Sequence, residues 1–191
     1  PIDDQIAWIT GSQVCYCAEA FQGVSRQHPD AAALSVLATV LRNGFLHTAI
    51  REKGGAYGAG AINDTATNTF KFFSYRDPKC SETFTAFREA IEWSKTSITD
   101  QHLEEAILGV VSSIDKPLSP VGEAKNDFNF NLEDISTKER LEMRQRVINC
   151  SIDDLIRVSE KYLTKPSKKS ILAGKAYSKE ASSLGLNLRE I

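Results

Sequence analysis

Between Pro29 and Gly60 the chain reads as a long helix that must stop abruptly and turn into a strand, and no other stretch restricts the fold as strongly. Pro29 suits the first turn of a helix, where its fixed φ is already helical and its missing N–H would have had no partner. Leu34, Leu37, Ala38, Leu41, Phe45, Thr48 and Ala49 then recur at spacings of three and four, which predicts one apolar stripe facing a core. Arg51-Glu52-Lys53 leads into Gly54-Gly55, where a left-handed cap is expected. Four glycines fall within the seven residues from Gly54 to Gly60, and the run from Tyr57 to Asn63 reads as a strand. A second strand is expected from Thr69 to Tyr75, with the polar turn Asp64-Thr65-Ala66-Thr67-Asn68 closing a hairpin.

A helix followed by a hairpin needs further layers, and the rest of the chain supplies them. Gln13 to Phe21 alternates as a strand in which Cys15 and Cys17 point the same way, as small buried hydrophobes. Past Asp77-Pro78 the pattern turns helical, with Phe84, Phe87, Ile91 and Ser94 on one face of residues 79–97. Thr99 is placed to cap a helix carrying Leu103, Ala106, Ile107 and Val110, and Ser119 to cap another after Pro117. Ser136 with Glu139, and Ser151 with Asp154, have capping-box spacing before two more helices, and Ser170 to Ala176 reads as a last strand. The order β, α, β, β, several helices, β defines an α+β fold: an antiparallel sheet covered by helices on one side, spanning 1–191 as a single domain.

Charge and cysteine usage narrow the function classes. With 23 Lys and Arg against 25 Asp and Glu the net charge is −2, and the signs are interspersed, so neither a nucleic-acid nor an anionic-membrane footprint is expected. No apolar run is expected to approach the roughly 18 to 20 residues of a membrane span. Four cysteines without a C-x-x-C point to a reducing compartment rather than a disulfide framework. Pro1-Ile2-Asp3-Asp4 has no basic start and no apolar stretch, so no signal peptide is expected. The sole methionine is Met143, and the start at Pro1 is expected to be a cut in a longer chain.

The glycine segment is the candidate site. A phosphate-cradling loop needs a strand before it and a helix after it, and here that order is reversed, with the only lysine, Lys53, ahead of the glycines. A second reading is an edge strand, Gly58, Ala59, Gly60 and Ala61, stripped of side chains so that an extended peptide can lie against its backbone. Arg51 and Tyr57 bracket the turn, and a guanidinium and a phenol there can both donate to a carbonyl oxygen as it gains charge. The plainer reading has Arg51 answering the helix dipole and Tyr57 packing as an aromatic with a wet hydroxyl, and spacing alone leaves both open. The histidines, His28, His47 and His102, form no pair at ligand spacing: His102-Leu103-Glu104-Glu105-Ala106 has Ala where a second His would stand.

The runs from His28-Pro29-Asp30 through Leu41-Arg42-Asn43-Gly44 and Leu46-His47 to Arg51-Glu52-Lys53-Gly54-Gly55-Ala56-Tyr57-Gly58 resemble the presequence-protease branch of the insulinase/pitrilysin zinc peptidases. Ile107-Leu108-Gly109 and Asp115-Lys116-Pro117-Leu118-Ser119-Pro120 are similar to the same branch in the same order. The resemblance implies the last of four homologous α+β domains, in an enzyme that encloses short unstructured peptides and cleaves them. It implies that Arg51 and Tyr57 contact the substrate carbonyl and the oxyanion, with the strand from Gly58 flanking the chamber. It further implies zinc in the complete enzyme, held by an H-x-x-E-H motif in an absent N-terminal half. This chain would then bind no metal and be inactive alone, with the zinc-bearing half and a peptide as its partners, in a cytoplasmic or organellar, mitochondrial-matrix-like setting. The rival is a non-catalytic scaffold or peptide-binding partner of the same fold.

Overall fold

The structure is a computed structural model that describes residues 5–191; residues 1–4, on which the reading of the leader rests, lie outside the described residues. Strands β1 (Ile6–Thr10), β2 (Tyr16–Gln22), β3 (Gly58–Asp64), β4 (Thr69–Tyr75), β5 (Lys168–Gly174) and β6 (Asn187–Glu190) form one six-stranded sheet. Their order is β3-β4-β2-β5-β1-β6, which places β3 at one edge and β6 at the other. Four strands pair antiparallel as the sequence predicts, while β1 runs parallel to both β5 and β6. The class is α+β and the sheet is mixed. The two strands that bring the parallel pairs are the ones the sequence reading does not name. β6 is four residues long and exposed along its whole length, so it carries no buried alternation to detect.

The helices are α1 (Ala31–Leu41), α2 (Ser81–Thr96), α3 (Asp100–Ile114), α4 (Pro120–Leu132), α5 (Thr137–Ile148), α6 (Ile152–Leu163) and α7 (Ser178–Ser183). Each expected cap is present: Thr99, Ser119, Ser136 and Ser151 accept from the backbone N–H of His102, Gly122, Glu139 and Asp154. Alternate strand residues, among them Cys17, Phe21, Phe70, Phe72, Ile171 and Ala173, are buried toward the helices. The opposite parity, Tyr16, Phe73, Tyr75, Leu172 and Trp8, is half-buried or exposed, on a face that none of the described helices covers. Cys15 and Cys17 are buried as expected, and all four cysteines are free.

α1 is the central helix, with nine of its eleven residues buried. The helix does not end at Leu41. It continues as a π-helical segment, Arg42–Glu52, whose wider turns carry i→i+5 bonds such as Lys53 N–H to the Thr48 carbonyl at 3.0 Å. This corrects the expected stripe. The buried positions after Leu41 are Leu46 and Ile50, five and then four residues on, whereas Phe45 and Ala49 are only partly covered and Thr48 is exposed. Trp93 of α2 packs directly on this segment: its ring lies where a Cβ on Gly44 would stand, 2.6 Å from the nearest ring carbon. The helical stretch Ala31–Glu52 has a mean hydropathy of 1.2 over its most apolar window, enough by length and composition to span a membrane, and half of that window is buried within the fold.

Candidate functional site

The site begins where the π segment runs out. Gly55 has φ of +85°, the left-handed conformation a capping glycine supplies, and its N–H donates to the Arg51 carbonyl at 3.1 Å. The Ala56 N–H donates to the Ile50 carbonyl, also at 3.1 Å, so two of the last carbonyls of the helix are satisfied by consecutive residues. Gly54 is required for a different reason: a Cβ there would stand 2.4 Å from the Ile50 carbonyl oxygen. Tyr57 N–H then donates to the Arg76 carbonyl at 3.2 Å and the chain enters β3. Helix end and edge strand are thereby fixed to each other across five residues.

Arg51 lies in the last turn of the segment and is exposed. Its Nη1 is 2.8 Å from His47 Nε2, one turn earlier, and His47 Nδ1 lies 3.4 Å from Glu52 Oε1. A neutral imidazole that accepts from Arg51 carries its proton on Nδ1, the nitrogen that faces Glu52. Tyr57 is 69% exposed, and its ring meets Tyr75 edge to face with centroids 5.6 Å apart. Tyr75 meets Tyr16 in the same way at 5.4 Å. Arg51 and Tyr57 flank the same turn, but among the described residues no hydrogen bond joins them; each is held by a different neighbour.

β3 is an edge strand, as the glycine pattern predicts, and Gly58, Ala59, Gly60 and Ala61 are its first four residues. Gly58 pairs with Tyr75 and Gly60 with Phe73. Arg42 reaches the Gly60 position, where its Cδ would lie 3.1 Å from an added Cβ and the Phe73 Cζ 3.0 Å from it. Ala61 and Asn63 face the helices, and the Asn63 amide donates to the Ala31 carbonyl and to Ser35 Oγ, both at 3.1 Å.

His47, Tyr75 and Tyr16 are the site residues that sequence reasoning missed. The signal for His47 was its spacing of four from Arg51. For the tyrosines it was strand register, which spacing within one strand does not reveal. The histidines do not converge on a metal: His28 accepts from the Asp30 N–H, and His102 closes the cap of α3 and packs against Trp93. Among the described residues no group of three His, Cys, Asp or Glu is arranged to hold an ion.

With this geometry in view, the fold finds close counterparts among peptidases. A protease from Helicobacter pylori superposes with a TM-score of 0.75 at 20% identity, covering 91% of this chain and 45% of that one. Pitrilysin superposes at 0.67 with 15% identity, over 98% of this chain and 22% of its own, and an inactive peptidase domain from Pseudomonas fluorescens at 0.68 with 16% identity, over 90% and 44%. These likenesses define the class: the α+β domain from which such peptidases are built. Within that class, the chain belongs to the PreP C-terminal domain family, whose model matches residues 11–172.

Curated relatives agree. Mitochondrial presequence proteases of Eremothecium gossypii and Xenopus tropicalis are 41% and 40% identical over 157 and 152 residues. The matches cover 81% and 79% of this chain but only 16% and 14% of those proteins, so the chain spans about a sixth of their length.

Proposed function

We propose that this chain is the last of four homologous domains of a zinc metallo-endopeptidase that degrades short unstructured peptides in an organelle, and that it supplies the oxyanion-side donors. One observation carries the reading: the exposed Tyr57 and Arg51 flank a turn that opens directly onto an edge strand whose first four residues are only glycine and alanine. An extended peptide paired along β3 gains main-chain hydrogen bonds with little demand on its sequence. Its scissile carbonyl then lies within reach of the start of the strand. There the Tyr57 O–H donates to the carbonyl oxygen as attack turns it into an oxyanion, and Arg51 holds a neighbouring peptide carbonyl. A donor of this kind stabilises the developing charge more than the ground state, which is what raises turnover.

Among the described residues no cluster fits a zinc site; in this reading the N-terminal half holds the metal of the complete enzyme and the chain alone is inactive. Tyr57→Phe removes the donor while keeping the ring against Tyr75. In the complete enzyme it is expected to lower kcat at least tenfold, toward the roughly 10²- to 10³-fold loss seen when an oxyanion donor is removed, with little change in thermal stability. Unchanged peptide cleavage by that variant overturns the assignment. A protein that never cleaves peptides, even when complete and loaded with zinc, is the scaffold instead.

A further inference from the structure

The open face of the sheet carries a continuous row of large side chains that stops at a gap. Register places Arg189, Trp8, Leu172 and Tyr16 side by side across β6, β1, β5 and β2. The Tyr16 ring abuts Tyr75 of β4, and the position opposite Tyr75 on β3 is Gly58. Apart from its two chain neighbours, nothing lies within 4 Å of where a Gly58 Cβ would stand. The next glycine on that face differs, because Arg42 and Phe73 fill the space at Gly60. Gly58 is therefore an open position on the edge strand, at the end of a row that is aromatic and aliphatic from Trp8 onward, with Tyr75 across the strand pair and Tyr57 just before it in the chain. Gly58 does not have the left-handed φ that would by itself require glycine, so backbone geometry does not explain its lack of a side chain.

We propose that the space over Gly58 is a specificity subsite, which takes an aromatic or large aliphatic side chain next to the scissile bond of a bound peptide. The inference rests on β3 being the peptide-binding edge and deepens that reading. A peptide side chain seated there lies against the half-exposed Tyr75 ring and the exposed Tyr57 ring and removes apolar surface from water on both. Charged or very small side chains gain nothing from those walls. The same contact packs the Tyr57 ring from a second side, so a fitting side chain also steadies the phenol that donates to the oxyanion.

The test uses the complete peptidase carrying this domain and matched fluorogenic peptides that differ only in Phe or Gly at each residue flanking the cleaved bond. The wild type is expected to favour Phe at one of those residues by about tenfold or more in kcat/KM, the range a filled apolar pocket commands. Gly58→Val places a branched side chain in the gap, on a strand that tolerates it. It is expected to reduce the Phe preference, read as the Phe-to-Gly ratio of kcat/KM within the variant, below about threefold, whatever the overall rate of that variant. Gly58→Ala is expected to fall between, and it decides the matter if the valine variant does not fold. A wild type without the preference, or a preference that survives in the folded Gly58 variants, overturns the subsite. If instead Tyr57→Phe leaves turnover intact, the failure lies in the oxyanion assignment, and the preference measurement stands apart from it.

Discussion

In the role proposed for them, Arg51 and Tyr57 depend on the residues that hold them. His47 Nε2 accepts from Arg51 only while the imidazole is neutral; a protonated ring faces the guanidinium with like charge. If Arg51 holds the peptide and Tyr57 is the oxyanion donor as proposed, His47→Ala in the complete enzyme is expected to raise KM more than it lowers kcat, because it frees the arginine and leaves the phenol in place. His47→Gln, which keeps an acceptor, is expected to recover part of the loss, and equal damage by both variants in a steady-state comparison refutes the role. The two glycines of the turn are separable at the same scale. Gly55→Ala forces a side chain into φ of +85° and is expected to cost about 1 kcal/mol in urea unfolding. Gly54→Ala is expected to cost more, because its Cβ would meet the Ile50 carbonyl oxygen at 2.4 Å.

The hairpin of β3 and β4 is the element on which the site stands, and its turn is an electrostatic clasp. Asp64 accepts from the Ala66 and Thr67 N–H groups at 3.1 Å each, and Lys71 donates to its other oxygen at 2.6 Å. The Lys71 ammonium pulls the Asp64 carboxyl down to about 2. A carboxyl whose folded value lies below its unfolded value stabilises the fold above the unfolded value and loses that contribution as pH falls through the folded one. The clasp is thus expected to hold above roughly pH 4 and to fade between pH 4 and 2. The protection of the β3–β4 amides, as the ratio of intrinsic to observed exchange rate, should fall in that window, and an Asp64→Asn variant should show no such step.

The element scale also shows where sequence legibility ends. The caps at Thr99, Ser119, Ser136 and Ser151 and the turn at Asp64 depend on residues within four positions of each other, so spacing reveals them. The widened turns of the π-helical segment leave no mark on local periodicity, which points to Phe45 where the fold buries Leu46. The Tyr16–Tyr75–Tyr57 ladder depends on the register of β2 against β4, which no single strand encodes. The edge position of β3 was readable because its glycines advertise a strand with no neighbour to pack against on one side.

At the scale of the whole molecule, one buried carboxylate ties the two ends of the helical layer. Asp30, at the start of α1, accepts from Arg157, Lys161 and Tyr162 of α6 at 2.7, 2.8 and 2.7 Å. Burial pushes its carboxyl up, but those three donors outweigh it and hold it well below the usual carboxylate range. Asp30→Ala is expected to destabilise the fold by about 2 kcal/mol in urea, moderated because both basic partners are half in water. α4 shows the opposite condition: none of its residues is buried, and Val121, Phe128 and Leu132 are exposed along it. Surface of this kind favours association, so the chain alone is expected to sediment as larger species with rising concentration, and Val121→Glu with Leu132→Glu to suppress this.

The widened turns of Arg42–Glu52 have a consequence for angular phase. Each residue of an ordinary helix advances about 100° around the axis, so the direction of the final side chain depends on how many residues are wound into the turns before it. The π segment takes up residues without lengthening the helix in proportion, and so resets that phase between the end that must face the core at Leu34 and Leu41 and the end that must present Arg51. Removing one residue from this stretch would let the bonding relax to the common register while Leu46 and Ile50 rotated out of the core, or keep them buried and swing the guanidinium to another bearing. The irregular winding is the part of this helix that sets the heading of its last side chain.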